Sequence, residues 1–527
     1  IVSEGLAALA FTGVEVNLVL FLKLVLRHSN AQAANTFATW MGTLNICTLL
    51  GAFLSDSYLG RFQTCVLFQT VLVLGLVLLS LTAQVFMLKP GGCGRTGRVC
   101  DEPSRLRAGS FYLSIYLLAL GSGAVEPALA SLGSDQSETE DEKTAFFSYY
   151  YVALNLGSMV AETVLVYVEG SGRWVLAFWI STGCAVSALV FLLGGVSKYR
   201  RIEPSGNPVS RFCQVFVACV RKRNLEAPSS GAELHESDPD GRQQRLPHTH
   251  DFKRLDRAAM MTPSEKTMLS LKGQTPSPWH LCTVTQVEEV KCVLRLIPIW
   301  LCIIVASVAF AQVLSLFVEQ GTTMNTKIRS FEIPPASMII FDIITISTFI
   351  ICYKKILSRK RQIESPSELQ RIGVGMAVSI LAMIVAGLVE RNRLKHADRG
   401  EETSSLSIFW QVPQYVLVGI SEALINVAQW EFFTSQISDG LKSLGLGLSM
   451  SSTALGSYLC SIIVSLVMKV SSRNGKAGWI PPNLNEGHLD RFFFLSGALI
   501  ACDLVLFVAC AKRFKCIQVL KKDNTEK

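Results

Sequence analysis

Twelve apolar runs, each about 20 residues long, constrain this chain more than any other feature. Each is long enough to cross a hydrocarbon core of about 30 Å. No water is available there to satisfy backbone N–H and C=O groups, so a segment outside a closed barrel meets them as a helix. The spans are read at 1–26, 36–59, 63–88, 108–132, 145–168, 173–196, 290–317, 335–353, 371–390, 407–430, 441–469 and 490–511. Six precede and six follow the longest polar stretch, roughly Ser197 to Gln286. That stretch holds Lys198-Tyr-Arg-Arg201, Arg221-Lys-Arg223 and the acidic Glu233, Glu236, Asp238 and Asp240. An all-α, multi-pass membrane protein follows, with six-helix bundles at 1–196 and 290–511. A linker at 197–289 joins them and a tail fills 512–527. Paired six-span halves are a transporter architecture.

Charged residues make up 17% of the 527, against about 25% in ordinary soluble chains. Lys and Arg number 49 and Asp and Glu 41. The basic clusters sit beside apolar spans, which suits an anionic lipid surface and not a nucleic acid. The 15 cysteines show no C-x-x-C pair and no metal-ligand spacing. Most lie in apolar runs, where a thiol acts as a small hydrophobe. Cys93 and Cys100 share one polar loop, and a disulfide there requires the loop to face an oxidising side. No nucleophile–base pattern or phosphate loop supports an enzyme, and neither a metal nor a cofactor is expected. The chain opens on Ile1 within an apolar run long enough to span. This run is not read as a cleavable leader, and upstream residues are expected.

Basic loops set orientation. Lys354, Lys355, Arg359, Lys360 and Arg361 follow the eighth span, and Lys512, Arg513, Lys515, Lys521 and Lys522 crowd the tail. With the basic start of the linker, they predict cytoplasmic termini and a cytoplasmic linker. The basic loop 89–107 and the acidic loop 134–143 run against this scheme. Within the linker, Val209–Val220 is amphipathic, with Phe212, Val215, Phe216 and Cys219 toward one face. It is expected to lie on the membrane surface. Residues 225–275 are polar and expected to be mobile.

Gly51-x-x-x-x-Asp56-x-x-x-Gly60-Arg61 joins spans two and three. Its glycines permit a tight turn and close helix approach, and its Asp and Arg can pair at the mouth. This resembles the gate loop of major facilitator transporters. Phe147-Ser-Tyr-Tyr-Tyr-Val-Ala-Leu-Asn-Leu-Gly-Ser158 and Trp279-His-Leu-Cys-Thr-Val-Thr-Gln-Val-Glu-Glu-Val-Lys291 are more specific. Glu332-Ile-Pro-Pro-Ala-Ser337, Pro413-Gln-Tyr415 and Gly478-Trp-Ile-Pro481 agree with them. Together they resemble the proton-dependent oligopeptide transporter family, in its plant nitrate and peptide branch, over essentially the whole chain. The subgroup linked to long-distance nitrate movement, and in some members potassium, is the most similar.

The resemblance implies a major facilitator fold and alternating access at a plasma membrane. It also exposes departures. The family's E-x-x-E-R of helix one is here Glu4-Gly-Leu-Ala-Ala8, keeping one carboxylate and losing the second Glu and the Arg. The Lys-Pro of helix four is Glu126-Pro127. A nitrate-transporting member has an anion-binding His where this chain has Phe310. Glu422, in Ser421-Glu-Ala-Leu424, matches a functional family position. Thr64 matches a phosphorylation site, with Arg61 three residues before it for a kinase.

Glu15 follows Glu4 by eleven residues, about three turns, so both share one helix face. A carboxylate inside a span costs about 2.5–3.5 kcal/mol on insertion scales and so seeks a cavity or partner. Glu4, Glu15, Glu126 and Glu422 are therefore the candidates for proton coupling or gating. Glu162 and Asp342 are read as packing residues. Arg295 and Lys23 lie near span ends, where long side chains reach for water. Tyr149, Tyr150, Tyr151 and Phe310 are read as an aromatic pocket wall, with Asn155 and Gln312 supplying polar groups. The expected function is proton-linked, low-affinity nitrate transport. The alternatives are proton–potassium exchange, transport of peptides or other organic solutes, and a sensor that carries nothing.

Overall fold

The computed structural model describes residues 1–26, 30–87, 105–200, 208–225, 234–236, 246–263, 265, 267, 277–313, 315–328, 331–359, 366–397, 403–438, 441–472, 478–481 and 483–514. Cys93 and Cys100 lie outside them.

Among the described residues, ten helices are long and apolar enough to cross a membrane. In the first bundle these are span one (Val2–Lys23), span three (Arg61–Val85), span four (Arg105–Ser134), span five (Asp141–Glu169) and span six (Trp174–Gly194). In the second they are span seven (Val284–Thr322), span nine (Glu368–Lys395), span ten (Ile408–Ser435), span eleven (Lys442–Ser471) and span twelve (Leu489–Arg513). Asn30–Leu54 and Ile339–Arg359 occupy the positions of spans two and eight and complete two sets of six. Span seven starts six residues before the expected 290, because Thr283 caps it by accepting from the Gln286 amide at 3.2 Å. A small hairpin, Lys327–Ile328 against Phe331–Glu332, links spans seven and eight and is the one paired sheet among the described residues.

Each bundle has its own core. Phe21, Trp40, Leu72, Phe111, Trp174 and Phe178 fill the first. Phe317, Tyr415, Phe432, Phe433, Phe492 and Phe493 fill the second. A third cluster lies on the seam, where Phe68, Phe147, Tyr150 and Tyr151 of the first bundle meet Ile346, Val427, Trp430 and Leu446 of the second. Gly51 permits the close crossing of spans two and four: a Cβ there would stand 2.2 Å from the Ala124 carbonyl oxygen. Gly60 turns the loop at φ 78°, a conformation that favours glycine.

The linker has two features that the spacing of its residues did not show. Its helix, Pro208–Arg221, buries Val215 and Ala218 against Leu255, Ala258, Cys282 and Val287, while Phe216 stays exposed. Its most buried face is therefore turned to protein. Residues 246–262 are not loose. Lys291, fully buried, reaches Asp256 at 2.6 Å, Glu288 at 2.8 Å and the Thr249 carbonyl oxygen at 3.0 Å. Arg295 does not reach for water. It is buried and bonds the Thr249 hydroxyl, with Asp251 3.3 Å away. His248, Asp256 and Glu288 are close enough to share a cation, but the Lys291 ammonium already bridges the two carboxylates, with Arg295 4.0 Å from Glu288.

Candidate functional site

The two bundles are tied together at one end by the loop between spans two and three. Asp56 accepts from the Leu444 amide at 2.8 Å, and Ser55 and Ser443 hydroxyls lie 3.2 Å apart. Arg61 donates to the Ser443 hydroxyl at 3.2 Å, sits 3.5 Å from Asp56 and pairs with Asp135. Lys442 approaches Asp135 at 3.8 Å. Asp56, Arg61 and Asp135 are all buried. A helix N-terminus favours an anion, which is why the start of span eleven attracts Asp56. Leu446, two residues past Leu444 on span eleven, belongs to the aromatic seam.

Beyond the seam, a cavity of about 400 Å³ separates the bundles. Its floor is Tyr151, Trp430 and Met450, and it reaches Phe310 and Ile339 near the opposite ends of spans seven and eight. Four carboxylic side chains line it: Glu126, Glu162, Asp342 and Glu422. No Lys, Arg or His lines it among the described residues. The Tyr151 hydroxyl donates to Glu422 at 2.7 Å across the bundle interface. Asn426 donates to both, at 2.7 and 3.2 Å. Gln429 donates to Asn426 at 3.1 Å, and the Ser452 hydroxyl donates to Gln429 at 3.4 Å. This polar chain crosses from span five through span ten to span eleven.

Several expected pocket residues lie elsewhere. Tyr150 is fully buried in the seam, against Phe146 and Trp430, with its hydroxyl 3.5 Å from the Glu126 carbonyl oxygen. Gln312 turns away from the cavity and donates to Ser496 at 3.0 Å, because span twelve packs on that face of span seven. Tyr149 is exposed on the outer surface. Glu4 is buried beside Tyr150, and neither it nor Glu15 lines the cavity. Glu15 still bears electrostatically on Glu126 and Glu162. Thr64 is fully buried and donates to the Gly60 carbonyl at 2.9 Å, so this conformation does not present it to a kinase. Tyr151, Asn155, Phe310, Glu126 and Glu422 do line the cavity.

Asp342 and Glu162 belong to the cavity wall, contrary to the packing role read from sequence. A span sequence gives the cost of a carboxylate but not the direction in which its side chain points. Asn426 carried a usable signal, since it sits one turn after Glu422 on the same face.

Residues 62–480 match the model of the POT family. Among curated proteins, NRT1/PTR FAMILY 7.3 of Arabidopsis thaliana is 48% identical, covering 100% of this chain and 89% of that protein. NRT1/PTR FAMILY 7.2 of the same plant is also 48% identical, over 98% and 91% of the two chains. NRT1/PTR FAMILY 8.1 is 39% identical, over 97% and 92%. Among solved structures, an autoinhibited POT family peptide transporter superposes with a TM-score of 0.65 at 19% identity, covering 99% of this chain and 97% of its own. The POT family transporter PepTSo gives 0.61 at 18% identity, over 97% and 96%.

Proposed function

The chain belongs to the POT family, and on that premise we propose that it is a proton-linked secondary transporter whose acidic cavity exchanges protons for a monovalent cation such as potassium. One observation carries the choice of cation: four carboxylic groups line the cavity and no basic side chain balances them among the described residues. Charge inside a low-dielectric space needs a partner. A proton or a metal cation supplies it, and one-for-one exchange gives the cavity the same net charge in both loaded states. Two bundles joined at one end by the network of Asp56 and Arg61, with a cavity between them beyond it, support alternating access. The basic loops support a cytoplasmic assignment for the joined end.

Proton-linked nitrate transport is the second reading. The family resemblance favours it, and the hydroxyl of Tyr151 and the amides of Asn155, Asn426 and Gln429 offer donors in the same cavity. Nitrate would then enter with protons on the carboxyl groups. The Phe at 310 cannot donate to the anion.

Electrophysiology on the expressed chain, with potassium, nitrate and pH varied separately, tests both readings. Currents that follow potassium and pH support exchange. Currents that follow nitrate and ignore potassium overturn it, and no flux under any gradient leaves the sensor alternative.

A further inference from the structure

Asp342 opens span eight in the second bundle, and Glu162 sits in a π-helical turn, Ala161–Leu165, of span five in the first. Spans five and eight pack on one another across the bundle interface, and both side chains line the shared cavity. Asp342 is 4% exposed, and its Oδ1 has no hydrogen-bond partner among the described residues. Tyr415, fully buried on span ten, likewise leaves its hydroxyl without a partner and lies within electrostatic range of Asp342. Gly419, one turn further along span ten, lets the carboxyl rest against the helix: a Cβ there would stand 3.0 Å from Oδ1. The charged groups facing Asp342 are Glu422 from span ten and Glu162 from span five, with Glu126 elsewhere on the cavity wall. None is basic.

Closing the cavity by rocking one bundle on the other draws these spans together at the open end. Two carboxylates at about 4 Å repel by about 4 kcal/mol at an effective dielectric of about 20. Closure is opposed while both are ionised and favoured once a positive charge lies between them. Resting on the proton-linked reading above, we propose that Asp342 and Glu162 form a cross-bundle cation site, for a proton or a dehydrated alkali cation, whose occupation lets the cavity close. The Asp342 carboxyl, with one oxygen unpaired, is the ligand that lines the cavity, and π turns recur at functional sites. An empty cavity would then stay open, which prevents a wasted cycle.

The test uses the full chain in proteoliposomes with a pH dye inside, under a potassium gradient and, separately, with potassium replaced by N-methylglucamine. Asp342→Asn and Glu162→Gln should each lower proton flux at least ten-fold and flatten its pH dependence. The double variant should be no worse than either alone, because both act through one site. Asp342→Glu should keep the pH dependence. A defect of Asp342→Asn that persists without potassium assigns the proton as ligand; one that appears only with potassium assigns the alkali cation. Wild-type flux and pH profile in Asp342→Asn would overturn the site while leaving proton-linked transport intact. Asp342→Glu as inactive as Asp342→Asn would return the residue to packing. A wild-type protein that moves no protons under any solute gradient would overturn the transport reading as well.

Discussion

The Leu444 amide donates to the Asp56 carboxylate at 2.8 Å, joining the loop of the first bundle to the first turn of span eleven in the second. The contact unites a charge, a helix N-terminus and a turn set by Gly60. Its partners are 388 residues apart in the chain. Asp56→Asn keeps the shape but removes one of the two carboxylates that hold Arg61, leaving Asp135. Because Asp135 still pairs with Arg61, the cost should fall below about 3–5 kcal/mol, the loss when a buried charge is left without any partner. Hydrogen exchange at the Leu444 amide should accelerate in the variant, and solute uptake should fall. An unchanged exchange rate would show that the seam alone keeps this end shut.

Gly51 makes a second, purely steric prediction. An added Cβ meets the Ala124 backbone at 2.2 Å, and backbone cannot step aside as a side-chain tip can. Gly51→Ala should destabilise by about 1–3 kcal/mol, the range for overpacking, seen as a lower midpoint of thermal unfolding in detergent. Gly109, which has nothing within 4 Å of its Cβ position, should tolerate the same change with no such steric penalty.

The Tyr151–Glu422 bond spans the bundles and should be measurable by a double-mutant cycle. Hydrogen bonds to charged groups contribute about 1.5–3 kcal/mol. Tyr151→Phe and Glu422→Gln should each alter the pH profile of transport, and their effects should fall short of additive. Additive effects would mean that the 2.7 Å contact is not made in the transporting state.

Docking of the linker should depend on Lys291. Lys291→Met leaves Asp256 and Glu288 buried without their cation. Protection of residues 246–262 from hydrogen exchange should drop by at least ten-fold, while the spans of the first bundle stay protected. Equal protection in the variant would assign the docking to the apolar contacts of Val215 and Ala218 instead.

The linker should also respond to pH through His235. Burial, the largest influence, holds its imidazole below the usual 6.5. The folded linker therefore binds fewer protons than the released one, so its stability is present above pH 6.5 and is lost as pH falls below it. Exchange of the 234–236 and 246–262 segments should be faster at pH 5.5 than at pH 7.5. His235→Gln should remove most of the difference. A difference that survives in this variant would place the sensing group elsewhere.

The fold class was legible because a bilayer leaves the backbone few options: length and apolarity of each run dictate a helix, and the polar stretch divides the twelve. The gate loop was legible for a related reason, since glycine at 51 and 60 meets backbone demands that other residues answer poorly. The direction of side chains was not. Apolar spans show no strong polar face against lipid, so Tyr150, Tyr151 and Gln312 could not be sorted into seam, cavity and span-twelve contact from their spacing. Composition gave the number of charges, and only packing decided their partners. Arg295 met Asp251 and Thr249, Lys291 met Asp256, and Asp342 was left facing Glu162 and Glu422 with no base. The sequence by itself determined that the chain crosses a membrane as two sets of six. The tertiary structure decided which carboxyl groups share one cavity, because a contact between distant spans depends on helix rotation, which the bilayer does not constrain.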